Sequence, residues 1–161
     1  MILVALLGVF GAANGTAHSQ VAGSWRLIHA ANPNSGADII SIVHTADTAR
    51  SDFELAGLML QCSERRREVV LVVVTPFPPR ARPGVTIRTD SEEWRFEARV
   101  VSPGAELLLP AEATSLAAGP WQTAHELAVR VSSQEQSFGG VIPIDGLNAA
   151  LATLAANCPA E

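Results

Sequence analysis

Apolar and polar residues alternate with a period of two in several short stretches of this chain. The cleanest is "WRFEARVV", where Trp94, Phe96, Ala98 and Val100 fall on one face and Arg95, Glu97 and Arg99 on the other. "SPG" then makes a tight turn and "AELLLP" returns, which predicts a hairpin from Trp94 to Pro110. "ELAVRVSS" repeats the alternation with Leu127, Val129 and Val131 inward. "IISIVHT" is rich in β-branched residues and predicts a strand, as does "VTIRTD". In "FELAGLMLQC", Leu58, Leu60 and Cys62 share a face if the segment is extended. "VVLVVV" does not alternate, so it predicts a central strand covered on both sides. "NPNSG", "ADTARSD", "SERRRE" and the proline-rich "FPPRARPG" read as connections.

The period changes once, near the end of the chain. "SFGGVIPI" reads as a last strand, and its Gly139-Gly140 pair suggests a bulge or a close backbone approach. Leu147, Leu151, Leu154 and Cys158 then recur at helical spacing, with Asp145 placed to cap the helix. No strand follows, so this helix is not the crossover of a parallel sheet. Short strands at regular spacing with turn signals predict an all-β domain, either an antiparallel two-sheet sandwich or an open barrel, with this helix packed on it. "AEATSLAAG" adds one or two helical turns closed by Gly119.

Both cysteines lie on inward faces, Cys62 with Leu58 and Leu60, and Cys158 with the helix leucines. An oxidising compartment would join them; a reducing one would leave two buried thiols. The first residues favour export. Ile2 to Ala13 form an uncharged apolar run of the length of a signal h-region, and "AHS" offers small residues at a cleavage site. The organisation read from the sequence is therefore a signal peptide over 1–19 and a single domain over 20–161, periplasmic or secreted. The apolar run is too short to span a bilayer comfortably, so stable membrane insertion is not expected.

The chain has 161 residues, enough for one core, and a formal charge of −5. That charge argues against nonspecific nucleic-acid binding, which needs a basic surface. Every basic residue is arginine, so no lysine is present for Schiff-base or P-loop chemistry.

The order of several features resembles the TagO/VasI family of exported proteins associated with type VI secretion. These are Cys62, Arg88 and Asp90 within "VTIRTD", Trp94, "ELAVRV", Phe138, Gly146, Leu147, Ala150, Leu154 and Cys158, spread over residues 58–158. The end motif is also similar to the invasion-associated locus B family. Both resemblances imply an exported accessory protein of the bacterial envelope.

No catalytic motif is present: no G-x-S-x-G elbow, P-loop, H-E-x-x-H or C-x-x-C. Cys62 with His29, His44 or His125 would be a nucleophile and base, but an inward strand cysteine with a partner is structural. His44 and Asp47 are two ligands, too few for a metal site. No cofactor is expected. The candidate binding surface consists of Arg65, Arg66, Arg67, Arg88 and Asp90, set against the plain reading of a solvated turn and a polar strand face. "FPPRARPG" either docks a protein or bridges two strands across the sandwich. The sequence thus points to a non-enzymatic binding module with a protein partner in the cell envelope. The alternative is an envelope hydrolase whose His, Asp, Glu and Ser residues converge only in space.

Overall fold

The computed structural model describes residues 19–20, 24–30, 38–63, 66–101 and 103–158. The predicted signal segment lies outside these residues except for Ser19. Among the described residues, two antiparallel sheets pack face to face without closing into a barrel. The first contains β1 (Ser19–Gln20), β2 (Arg26–Ala30), β3 (Ile39–Thr45), β4 (Leu55–Ser63), β5 (Arg66–Val73), β8 (Arg99–Val101) and β9 (Glu106–Leu108). Its strand order is β1-β2-β3-β4-β5-β9-β8. The second contains β6 (Gly84–Arg88), β7 (Glu93–Glu97), β10 (Glu126–Ser132) and β11 (Ser137–Pro143), in the order β11-β10-β6-β7. Between β9 and β10 lie the short helix α1 (Ala111–Ala117) and a 3-10 turn at Pro120–Thr123; α2 (Leu147–Asn157) ends the described chain.

The period-two faces meet between the sheets as their sequences require. Leu58 and Leu60 of β4 and Leu71 of β5 face Ile87 of β6 and Leu127 and Val131 of β10 in one buried cluster. β5 is buried on both faces, since Val69, Leu71 and Val73 join that cluster while Val70 is buried on the opposite side. The proline-rich segment after β5 carries the chain to the second sheet, and Phe77 anchors it by packing 6.2 Å from Phe138. The segment thus bridges the two sheets, as one of its two readings expects.

One predicted element divides. Trp94 to Val101 is not a single strand: β7 belongs to the second sheet and β8 to the first. The chain switches at Ala98, which is fully buried and whose N–H donates to the Pro83 carbonyl at 2.9 Å. A small inward residue lets the backbone turn this corner while both flanking strands keep their apolar face on the shared core. The hairpin is therefore only β8–β9, in which Val100 lies opposite Leu107.

α2 packs against β3 and β4 of the first sheet. It buries Leu147, Ala150, Leu151 and Leu154, the face its spacing predicts. Cys158 at its end is disulfide-bonded to Cys62 of β4, with Cα atoms 5.8 Å apart. The expected cap does not form. The residue before the helix is Gly146, at φ 82°, and no side chain caps it. Asp145 instead accepts from His125 Nδ1 at 2.9 Å through its carboxylate, and from Trp25 Nε1 at 3.0 Å through its carbonyl. The left-handed turn at Gly146 points the aspartate away from the helix, and its carbonyl satisfies the fully buried Trp25 indole.

Candidate functional site

The outer face of the second sheet is the polar half of the same alternation. Thr86 and Arg88 of β6, Glu93 and Arg95 of β7 and Ala128 and Arg130 of β10 point away from the core. Antiparallel register sets Arg130 opposite Thr86 and Arg88 opposite Ala128, so the two arginines are diagonal neighbours on adjacent strands. Gly139 lies opposite Arg130 on the far side of β10.

The connection between β3 and β4 raises a wall along this face. It leaves the first sheet and lies along β11, the edge strand of the second. Asp47 N–H donates to the Val141 carbonyl at 2.8 Å, and Asp52 N–H to the Gly139 carbonyl at 2.8 Å. Two side chains complete the ladder: Ser51 Oγ accepts from Val141 N–H at 3.0 Å, and Asp52 Oδ2 from Gly139 N–H at 2.8 Å. The loop thus stands in for a further strand and satisfies the edge. Gly140 is required by this approach, because a Cβ there would overlap the Ser51 side chain and Cα. The pairing of β10 with β11 runs without a bulge, so of the two meanings of the Gly-Gly pair the close approach is the real one.

Between this wall and β7 lies an open trough of about 580 Å³, floored by small residues and flanked by Arg50, Arg88 and Arg130. The carboxylates beside it have other partners. Glu93 faces Arg88 across the strand pair but accepts from Arg95 Nε at 3.1 Å and Nη2 at 2.9 Å. Glu126 accepts from Arg50 Nη1 at 2.8 Å and Asp47 from Arg50 Nε at 2.7 Å. The Asp47 pKa is held below its ordinary value first by the Arg50 hydrogen bond, and that of Arg50 is raised first by the same bond. Arg88 and Arg130 have no ion pair or side-chain hydrogen bond among the described residues.

The arginines and aspartate singled out in the sequence do not form one surface. Arg88 lines the trough, whereas Asp90 sits in the β6–β7 turn and does not. Arg66 and Arg67 line a second depression, of about 370 Å³, with Arg99 at the start of β8. Arg65 lies outside the described residues. Arg50, Ser51 and Arg130 join the site only in the structure. Arg130 carried a signal, as the charged outward residue of "LAVRV"; the β3–β4 loop carried none, since its pairing with β11 is purely tertiary.

The described histidines, His29, His44 and His125, are not brought together in a cleft. His44 is buried, with Nδ1 2.9 Å from the Thr45 carbonyl and its ring edge-on to Trp25 at 5.1 Å. Asp47 is committed to Arg50, so the two do not pair as ligands. His29 is exposed on β2. His125 meets Asp145, but both side chains are open to solvent, 86% and 72% exposed. Hydrogen bonding to the Asp145 carboxylate raises the His125 pKa above 6.5. No group of three or more His, Cys, Asp or Glu able to hold a metal occurs among the described residues. No described helix is long and apolar enough to cross a membrane. Comparison with family models, curated proteins and solved structures finds no match.

Proposed function

We propose that the chain is an exported, non-enzymatic binding module of the bacterial cell envelope, of the accessory kind that accompanies type VI secretion, and that it holds a protein partner on the outer face of its second sheet. The observation that carries this reading is the trough itself, a polar concavity built on rigid strands, with two arginines at its side that lack partners among the described residues. Strand-borne side chains are held in place by the sheet, which suits recognition. Support for export comes from the signal-like start and from the disulfide between Cys62 and Cys158, a bond at home in oxidising compartments. The secretion-system role is supported by the residues shared with the TagO/VasI family between 58 and 158.

The experiment is site-specific photocrosslinking in the exporting cell. A photoreactive residue at Ala128, on the trough floor, should give a discrete crosslinked protein. The same probe at Asn148, on the exposed side of α2, should not. An Ala128→Trp variant should fill the trough, keep its melting temperature and lose that product. Equal crosslinking from both positions, or an undiminished product in a variant carrying Ala128→Trp, would refute the assignment of the face.

A further inference from the structure

We infer that the trough takes an extended, acidic protein segment whose carboxylates are held by Arg88 and Arg130. This rests on the reading of the outer face as a partner-binding surface and adds the chemistry of what it binds. Three observations point the same way.

Charge comes first. Of the arginines flanking the trough, Arg50 is bound to Asp47 and Glu126. Glu93, the carboxylate opposite Arg88, is occupied by Arg95. Two guanidiniums thus project from one sheet face with their donors unspent among the described residues. Each presents a planar fork that matches a carboxylate. As diagonal neighbours their Cβ atoms are ~7 Å apart. On a ligand that crosses the strands the two forks are one strand spacing apart, ~4.8 Å, and stand in neighbouring rows on either side of it, so carboxylates of one short acidic run meet both.

Shape comes second. The trough runs from Glu93 on β7 across β6, β10 and β11 to the 49–52 loop. Four strand spacings of ~4.8 Å make this path about 19 Å long, the span of roughly six extended residues. A single small anion would leave most of it empty. The floor at Thr86, Ala128 and Gly139 carries only small side chains, so a backbone can lie close to the sheet.

The lining is the third observation. It is mainly polar and offers no deep apolar slot for an aromatic anchor. Binding then depends on the short-range pairs made by Arg88 and Arg130, which must outweigh the long-range repulsion between an acidic segment and a chain of net charge −5.

The test uses the intact, disulfide-bonded protein and a capped hexaglutamate peptide, with capped hexaglutamine and an oligogalacturonate as comparisons. In a titration followed by backbone amide resonances at low salt, hexaglutamate should shift Thr86, Ala128 and Gly139, and hexaglutamine should not. Arg88→Gln and Arg130→Gln should each weaken binding roughly tenfold, the loss of one charge-assisted pair. Arg99→Gln, in the other depression, should leave it unchanged. Binding that is equal for hexaglutamine, unchanged in both trough variants, or confined to oligogalacturonate would overturn the inference. Failure here is distinguishable from failure of the partner-binding reading. If Ala128→Trp abolishes the cellular crosslink while the combined Arg88→Gln and Arg130→Gln variant keeps it, the face binds a partner but not through these charges.

Discussion

At the scale of single residues, Trp94 and His125 look functional in the sequence and are each held by a neighbour in the fold. Trp94 is half-buried on the inward side of β7 and its ring meets that of Trp121 at 6.1 Å in an edge-on contact. It packs against the core without being enclosed by it. Trp94→Ala should therefore cost about 2–3 kcal/mol, below the range for a fully buried aromatic, and lower the midpoint of chemical denaturation. A variant that melts normally but loses partner binding would instead make Trp94 part of the interface. His125 and Asp145 give a second test. The exposed pair raises the histidine pKa because the carboxylate favours the charged ring. With the folded value above the unfolded one, the pair's contribution is fully present below about pH 6.5 and is lost as pH rises through the folded pKa. Asp145→Asn should bring the His125 titration, followed by NMR, down toward its ordinary value; an unchanged titration would show that the carboxylate does not set it.

At the scale of elements, legibility followed the range of the interactions. Strands such as "ELAVRV" and the apolar face of α2 were readable because the signal is periodic and local. The division of Trp94–Val101 into strands of two different sheets was not, because the alternation continues unbroken through Ala98. The Asp145 cap failed for a related reason: an aspartate before a helix is a local signal, and here a tertiary partner, His125, outcompetes it. Of the candidate site, Arg88 was legible as an outward strand residue. Its separation from Arg66 and Arg67 depends on which sheet each strand joins, and the wall of the trough is made by a polar loop with no pattern of its own. That loop makes a testable claim. It protects the β11 edge through Ser51 and Asp52, and Gly140 leaves room for it. Gly140→Ala should push the loop off the strand, lowering stability by about 1–3 kcal/mol. It should also speed hydrogen exchange at Asp52 and Val141. Slow exchange at both amides in that variant would show that the loop accommodates the methyl group.

At the scale of the whole molecule, the two sheets are tied together by chain crossings of different strength. The Phe77 segment and the Ala98 corner join them through buried contacts. The Cys62–Cys158 bond does something else: it fixes the last helix to a strand 96 residues earlier. Without it, α2 would be held by the packing of its buried face, Leu147, Ala150, Leu151 and Leu154. A cross-link of that span acts largely on the unfolded chain by removing loop-closure entropy, about 4–5 kcal/mol in the chain-entropy model, and roughly 2–5 kcal/mol is the usual observed loss. The double variant Cys62→Ala and Cys158→Ala should therefore unfold at a clearly lower denaturant concentration. Its unfolded state, free of the link, should expose more surface, so the slope of free energy against denaturant should steepen. Damage to the native packing alone would lower the midpoint and leave the slope unchanged. Reducing the wild-type protein should reproduce the behaviour of the double variant, because both remove the same covalent constraint. An unchanged midpoint in the variant and in the reduced protein would show that the helix is held by packing, and that the bond contributes nothing to the stability of the fold.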